Sequence, residues 1–123
     1  MPGYEVIGSE EFEEVKDVFD RGGVLFRHGF DAIRNDCYKT KEFEAEFSKE
    51  IGADYALAVS SGTAALRVAL AALGVGPGDE AITQSFTFVA TVEAIIESRA
   101  TPVCCDIDNT LNMSPVDLLS QIN

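Results

Sequence analysis

The chain is short of bases, has a single histidine and contains no long apolar run. Its 123 residues carry 9 lysines and arginines against 21 acids, a formal net charge of −12, which leaves no basic face for general nucleic-acid binding. No segment approaches the ~18 consecutive apolar residues of a membrane span. His28 has no second histidine or carboxylate pair at ligand spacing, so a metal centre is not expected and a substrate or dimer contact is the alternative. Cys37, Cys104 and Cys105 are an odd number, two of them adjacent, without CxxC or Cys/His spacing. They read as reduced thiols of a cytoplasmic protein, with Cys104 and Cys105 in a strand. The opening Met-Pro-Gly-Tyr-Glu has no basic region followed by an apolar stretch, so no secretion signal is expected.

With 46% hydrophobic and 24% charged residues, the composition fits one soluble globular domain. Both halves are acidic: residues 1–54 hold 14 acids against 7 bases, and residues 55–123 hold 7 against 2. The charge is a solubilising surface, not a tail.

Two textures meet near residue 54. Phe12, Val15, Val18 and Phe19 recur at helical spacing after Ser9 and a Glu10-Glu11 first turn, and Arg21-Gly22-Gly23 should end that helix. Residues 24–40 have no period but mix aromatics with Arg27, Arg34 and Lys39, as a binding loop or a segment packed over a core would. Phe43, Phe47 and Ile51 then mark a second helix that stops at Gly52. From Tyr55 the pattern alternates: a strand Tyr55–Val59, a polar turn, an apolar helix Ala64–Leu73, a strand Glu80–Gln84, a helix capped by Ser85 or Thr87 and running to Ser98, a strand Val103–Ile107, and a helix opened by Ser114-Pro115. Strands alternating with helices across short turns predict a parallel α/β sheet. The Ala64–Leu73 helix is apolar almost all round, so burial on more than one side is expected.

The sharpest local feature is Val59-Ser60-Ser61-Gly62-Thr63-Ala64-Ala65-Leu66, a small-residue turn into a helix. Successive backbone N–H groups, the helix dipole and the Ser61 and Thr63 hydroxyls make an anion cradle sized for phosphate. A tight turn with an N-cap is the plainer alternative. The stretch is neither GxGxxG nor a Walker A loop. Phe88, beyond the next strand, can stack on a planar ring or belong to a core.

Ala-Val-Ser-Ser-Gly-Thr-Ala-Ala-Leu, Gly-Val-Gly-Pro-Gly-Asp-Glu, Ser-Phe-Thr-Phe-Val-Ala-Thr, Ala-Thr-Pro-Val and Asp-Ile-Asp follow one another in this order. In them the chain resembles the N-terminal part of the DegT/StrS-type sugar aminotransferases, fold-type I enzymes that use pyridoxal 5′-phosphate. The resemblance covers essentially the whole chain. It implies an α/β fold, the start of the fold-type I large domain with a mostly parallel sheet and helices on both faces. Residues 1–54 would form a helical arm with a dimer or active-site loop, and 55–123 the start of the cofactor-binding domain. Gly62, Thr63 and Ala64 would hold the cofactor phosphate and Phe88 would stack on its ring. Arg27 and His28 would lie in the loop near the active site of a homodimer. The substrate implied is a nucleotide-linked or free keto or aldehyde sugar, with glutamate as amino donor, in amino-sugar or cell-envelope polysaccharide biosynthesis. Met-Pro-Gly-Tyr and Phe-Arg…Phe-Asp…Arg-Asn-Asp are similar to the subgroup that installs the 8-amino group on the octulosonic acid Kdo.

In that family the cofactor-bearing lysine and the acid beside the pyridine nitrogen lie downstream, in chains roughly three times as long. The lysines here, Lys16, Lys39, Lys41 and Lys49, all precede the cradle, and Asp106 and Asp108 match a strand-end motif but not the pyridine partner. The expectation is a truncated N-terminal piece with no catalytic residue of its own, inactive alone and prone to associate through open sheet edges. A truncated, non-catalytic paralogue that binds a phosphorylated ligand or pairs with a full-length enzyme is the alternative. A nucleotide-binding fold is weaker, because Thr83-Gln84 stands where ribose recognition needs an acid.

Overall fold

A computed structural model describes residues 3–122. The chain divides into two compact units, Met1–Ala58 and Val59–Asn123. No helix among the described residues is long and apolar enough to cross a membrane.

The first unit is helical. After a short 3-10 turn, Tyr4–Val6, α1 spans Ser9–Asp20 and α2 spans Lys39–Ile51. Gly8, not Ser9, precedes the first helical turn, and its N–H donates to the Glu11 carboxylate at 2.8 Å, an acid at the helix N-terminus where the dipole favours it. Arg21-Gly22-Gly23 ends α1 as expected, with Gly23 N–H bonded to Val18 O at 2.9 Å and both glycines at positive φ. Gly52 closes α2 in the left-handed conformation. The apolar stripe of α1 is not a core, since Phe12, Val15 and Phe19 remain exposed.

The second unit holds α3 (Gly62–Ala72), β1 (Glu80–Gln84), α4 (Val89–Glu97), β2 (Thr101–Cys105) and α5 (Pro115–Gln121). β1 and β2 pair in parallel, Glu80 opposite Thr101 through Gln84 opposite Cys105. α4 crosses between them and packs on both, the β-α-β unit that the alternating pattern predicts. Gly76-Pro77-Gly78-Asp79 is the turn into β1: Asp79 accepts from Gly76 N–H at 2.8 Å through its side chain, and its own N–H returns to Gly76 O at 3.1 Å. The core is small and centred on α4 and the sheet, with Thr83, Ala90, Ala94, Ile95, Ala100 and Cys105 buried. Ser114 caps α5 by accepting from Asp117 N–H, with Pro115 at the first helical position.

Several expectations need correction. Tyr55–Val59 is not a strand; a strand exists only where a neighbour takes its N–H and C=O groups, and the described residues offer none, so Tyr55 stands 91% exposed. The α3 helix has no buried residue, because α4 is the element packed against it. The third predicted strand begins two residues earlier, at Thr101, and ends at Cys105, while Ile107 forms an isolated antiparallel bridge with Met113. The helical pattern places Val92, Ile95 and Ile96 of α4 toward a core; Ile95 is buried, but Ile96 is exposed and Ala94 turns inward at 1% exposure. Neither Ser85 nor Thr87 caps α4: Phe88 holds the N-cap position without a side-chain bond, and the Thr87 hydroxyl lies 3.0 Å from that of Thr91.

Candidate functional site

The cradle residues stand at the first turn of a helix. Gly62, Thr63 and Ala64 are the first three residues of α3, and Ser61 is the N-cap, extended at φ −163° and ψ 163°. An extended cap turns its side chain back over the helix end, and Ser61 Oγ accepts from Ala64 N–H at 3.1 Å. Ser61 O takes Ala65 N–H at 3.0 Å. Of the four N–H groups that a helix start leaves without intrahelical partners, Ala64 N–H is taken by Ser61 and those of Gly62 and Thr63 remain free. A Cβ placed on Gly62 would meet nothing within 4 Å, so the space before these donors is open. Two free N–H groups, a hydroxyl that can yield a third and the positive end of α3 suit a phosphate monoester. The residues present therefore fit a cofactor phosphate.

Phe88 belongs to the same unit, at the start of α4 and beyond the carboxyl end of β1. There the ladder is prolonged by Ser85 N–H to Cys105 O at 2.8 Å. Phe88 is 77% exposed among the described residues, which leaves it open to a planar ligand. At the carboxyl end of β2, Asp106 N–H donates to Asp117 Oδ2 at 2.8 Å and Asp106 O accepts from Ser114 N–H at 2.8 Å. The backbone of this motif is thus committed to anchoring α5. Asp108 is likewise engaged with Thr110, whose hydroxyl and N–H hold its carboxyl below the usual carboxylate range.

Arg27 and His28 lie in the other compact unit, in the aperiodic segment between α1 and α2. His28 is exposed. Arg27 Nη2 donates to both oxygens of Glu44 at 2.5 Å, and Glu44 Oε1 also accepts from Ala58 N–H at 2.8 Å. Glu44, only 9% exposed, thus joins the loop, α2 and the segment that leads on to Val59. The Ala58 N–H, then the Arg27 guanidinium, hold the Glu44 carboxyl below its ordinary value of 4.5. A depressed carboxyl contributes stability that is complete above the unfolded value and is lost as the pH falls through the folded one. The protection factor of the Ala58 amide should accordingly be full near neutrality and fall below pH about 4.5, and Glu44→Gln should flatten that profile. An unchanged profile in the variant would show that Glu44 does not hold the segment.

Sequence reasoning singled out Arg27 but missed Glu44 and Arg34. Glu44 is a charged residue that periodicity assigns to solvent, and Arg34 stands in a segment without a period. The available signal was the density of cations among the aromatics of residues 24–40.

A family model described as the DegT/DnrJ/EryC1/StrS aminotransferase family matches residues 7–123. The chain belongs to this family. Spore coat polysaccharide biosynthesis protein SpsC of Bacillus subtilis (strain 168) is 46% identical over 114 residues, which are 92% of this chain and 27% of SpsC. Among solved structures, 3-amino-5-hydroxybenzoic acid synthase superposes with a TM-score of 0.86 at 32% identity, over 99% of this chain and 30% of that one. NtdA of Bacillus subtilis with bound cofactor PMP gives 0.68 at 30% identity, over 90% of this chain and 25% of that one. This DegT-family chain therefore spans about a quarter to a third of the length of these relatives. The α/β fold is that of the family's aminotransferase structures, and the family's cofactor is pyridoxal phosphate.

Proposed function

We propose that the chain provides the phosphate- and ring-binding part of an aminotransferase that moves an amino group from glutamate to a keto or aldehyde sugar for amino-sugar or cell-envelope polysaccharide biosynthesis. The observation that carries this reading is the start of α3, where two free N–H groups face open space at a residue without a Cβ. Gly62, Thr63 and Ala64 bind the phosphate, with Ser61 Oγ able to turn from Ala64 N–H to a ligand oxygen. Phe88 covers one face of the ring and keeps water from it. Arg27 and His28 serve the substrate side, with the complete site formed in a homodimer in the cytoplasm. When bound, pyridoxal phosphate supplies an electron sink for the bonds around the substrate nitrogen.

The chain by itself holds the cofactor without activating it. Lys39 is bound by Glu14 at 2.6 Å and Asp17 at 2.9 Å, and these carboxylates raise its pKa. Lys16 is likewise raised by Asp20. An ammonium kept protonated has no lone pair to offer a carbonyl. Borohydride reduction in the presence of pyridoxal phosphate, followed by peptide mass spectrometry, should give only scattered, substoichiometric lysine adducts. One lysine modified stoichiometrically by pyridoxal phosphate, but not by pyridoxal, would overturn the inactivity of the isolated chain. Loss of saturable pyridoxal phosphate binding altogether would overturn the reading of α3.

A further inference from the structure

The first unit contains a buried cation without a counter-ion. Arg34 is 2% exposed, yet among the described residues it forms no ion pair, and its Nε–H has no hydrogen-bond partner. The hydrogen bonds its guanidinium makes go to main chain: Nη2 donates to Phe26 O, and Nη1 to Arg27 O at 3.4 Å. These are the carbonyls of the two peptide units that flank the Arg27 Cα. A peptide unit is planar, so holding both units by their oxygens fixes φ and ψ of Arg27 and, with them, the direction in which its side chain leaves the backbone.

The guanidinium is itself held in place. Its carbon lies 4.4 Å from the centre of the Tyr38 ring, and the Tyr38 hydroxyl donates to the Asp31 carboxylate. Beyond Arg27 the contacts continue, because Arg27 Nη2 reaches Glu44, whose Oε1 accepts from Ala58 N–H. A buried charge is weak evidence for stability, since an apolar side chain of the same volume often serves as well. What an arginine provides here and an apolar residue cannot is two donors in one rigid planar fork.

We propose that Arg34 is a positioning residue: through the Phe26 and Arg27 carbonyls it sets the backbone at Arg27, so that the Arg27 guanidinium meets Glu44 and His28 leaves the chain from a fixed point. Arg34 acts through these residues and touches no ligand. The use of this loop on the substrate side rests on the function proposed above, but the positioning is read without substrate or cofactor. A chain that fails to bind pyridoxal phosphate would therefore overturn that function and not this role.

The test is NMR of the full chain. In the unaltered protein the Arg34 Nη–H protons should give separate, slowly exchanging signals, because two hydrogen bonds hinder rotation about the Cζ–Nη bonds; one averaged signal would overturn the proposal. Arg34→Lys keeps the positive charge but replaces the fork by a compact ammonium. In that variant the amide order parameters of Arg27 and His28 should fall from about 0.85 to below about 0.6, while those of α1 and α2 keep the higher value. The Glu44 carboxyl, followed by its carbon-13 shift, should then titrate at a higher pH than in the unaltered chain, since Arg27 no longer faces it and only Ala58 N–H and the more distant Lys41 still favour its charge. Arg27→Gln separates positioning from a general loosening: alone it should raise the Glu44 midpoint, and adding Arg34→Lys should raise it no further. Unchanged order at Arg27 and His28 in Arg34→Lys, or a second rise of the Glu44 midpoint in the double variant, would overturn the proposal.

Discussion

Gly22→Ala is expected to abolish the ordered loop between α1 and α2 and to cost about 4 kcal/mol. Gly22 adopts φ +110°, and a Cβ there would lie 2.0 Å from Ile33 O and 3.1 Å from Ile33 C. Both obstacles are backbone, so no side-chain rotation relieves them. The neighbouring turn from Phe30 to Cys37 already carries positive φ at Phe30, Asn35 and Asp36, which leaves little freedom to retreat. Gly52→Ala is the control. Gly52 sits at φ +68° with nothing within 4 Å of a new Cβ, so only the left-handed penalty of about 1 kcal/mol applies. Hydrogen exchange resolved by residue distinguishes the two variants. Gly22→Ala should remove protection at Ile33 and Cys37 N–H, which bond to Phe30 O and Arg34 O, whereas Gly52→Ala should leave both intact. Retained protection in Gly22→Ala would contradict the close packing of Gly22 against Ile33.

The largest effect on ligand binding is expected from Gly62→Asp. A Cβ at this position meets open space, and an acid in the first turn of a helix is favoured by the dipole, so folding of the second unit should be unimpaired. The carboxylate, however, would stand where the phosphate is to be held and take up the same N–H groups. Loss of those charge-assisted bonds, with repulsion added, should lower affinity for pyridoxal phosphate about 100-fold. Equilibrium dialysis gives the affinity, and thermal melting by circular dichroism shows that α3 persists. Near-native affinity in a folded Gly62→Asp chain would move the phosphate away from α3.

The comparison of sequence with structure divides along a physical line. Helices and turns governed by local rules were legible: Gly52 stops α2, Ser114 and Pro115 start α5, and Gly76 to Asp79 turn the chain into β1. The capped turn into α3 was legible for the same reason, since Ser61 caps α3 through atoms three residues apart. What depends on partners elsewhere was not. Tyr55–Val59 has the apolar content of a strand, but pattern alone cannot supply a neighbour to pair with it. The apolar circumference of α3 signals a need for burial, not its satisfaction. Glu44 lies beside the Phe43 and Phe47 stripe and reads as solvated, because its partners stand 17 residues before it and 14 after.

That carboxylate also bears on the order of folding. Both of its partners are reached by loops of under twenty residues, for which the closure cost grows only with the logarithm of length. Loops of about ten residues close in ~10–100 ns, while synthesis adds roughly 5–20 residues per second. Once Ala58 has cleared the ribosome, the Arg27–Glu44–Ala58 tie can form long before the cradle residues that follow have met β1 or α4. The first unit is thereby placed to fold during translation, and the chain reaches the turn into α3 with its upstream segment already anchored.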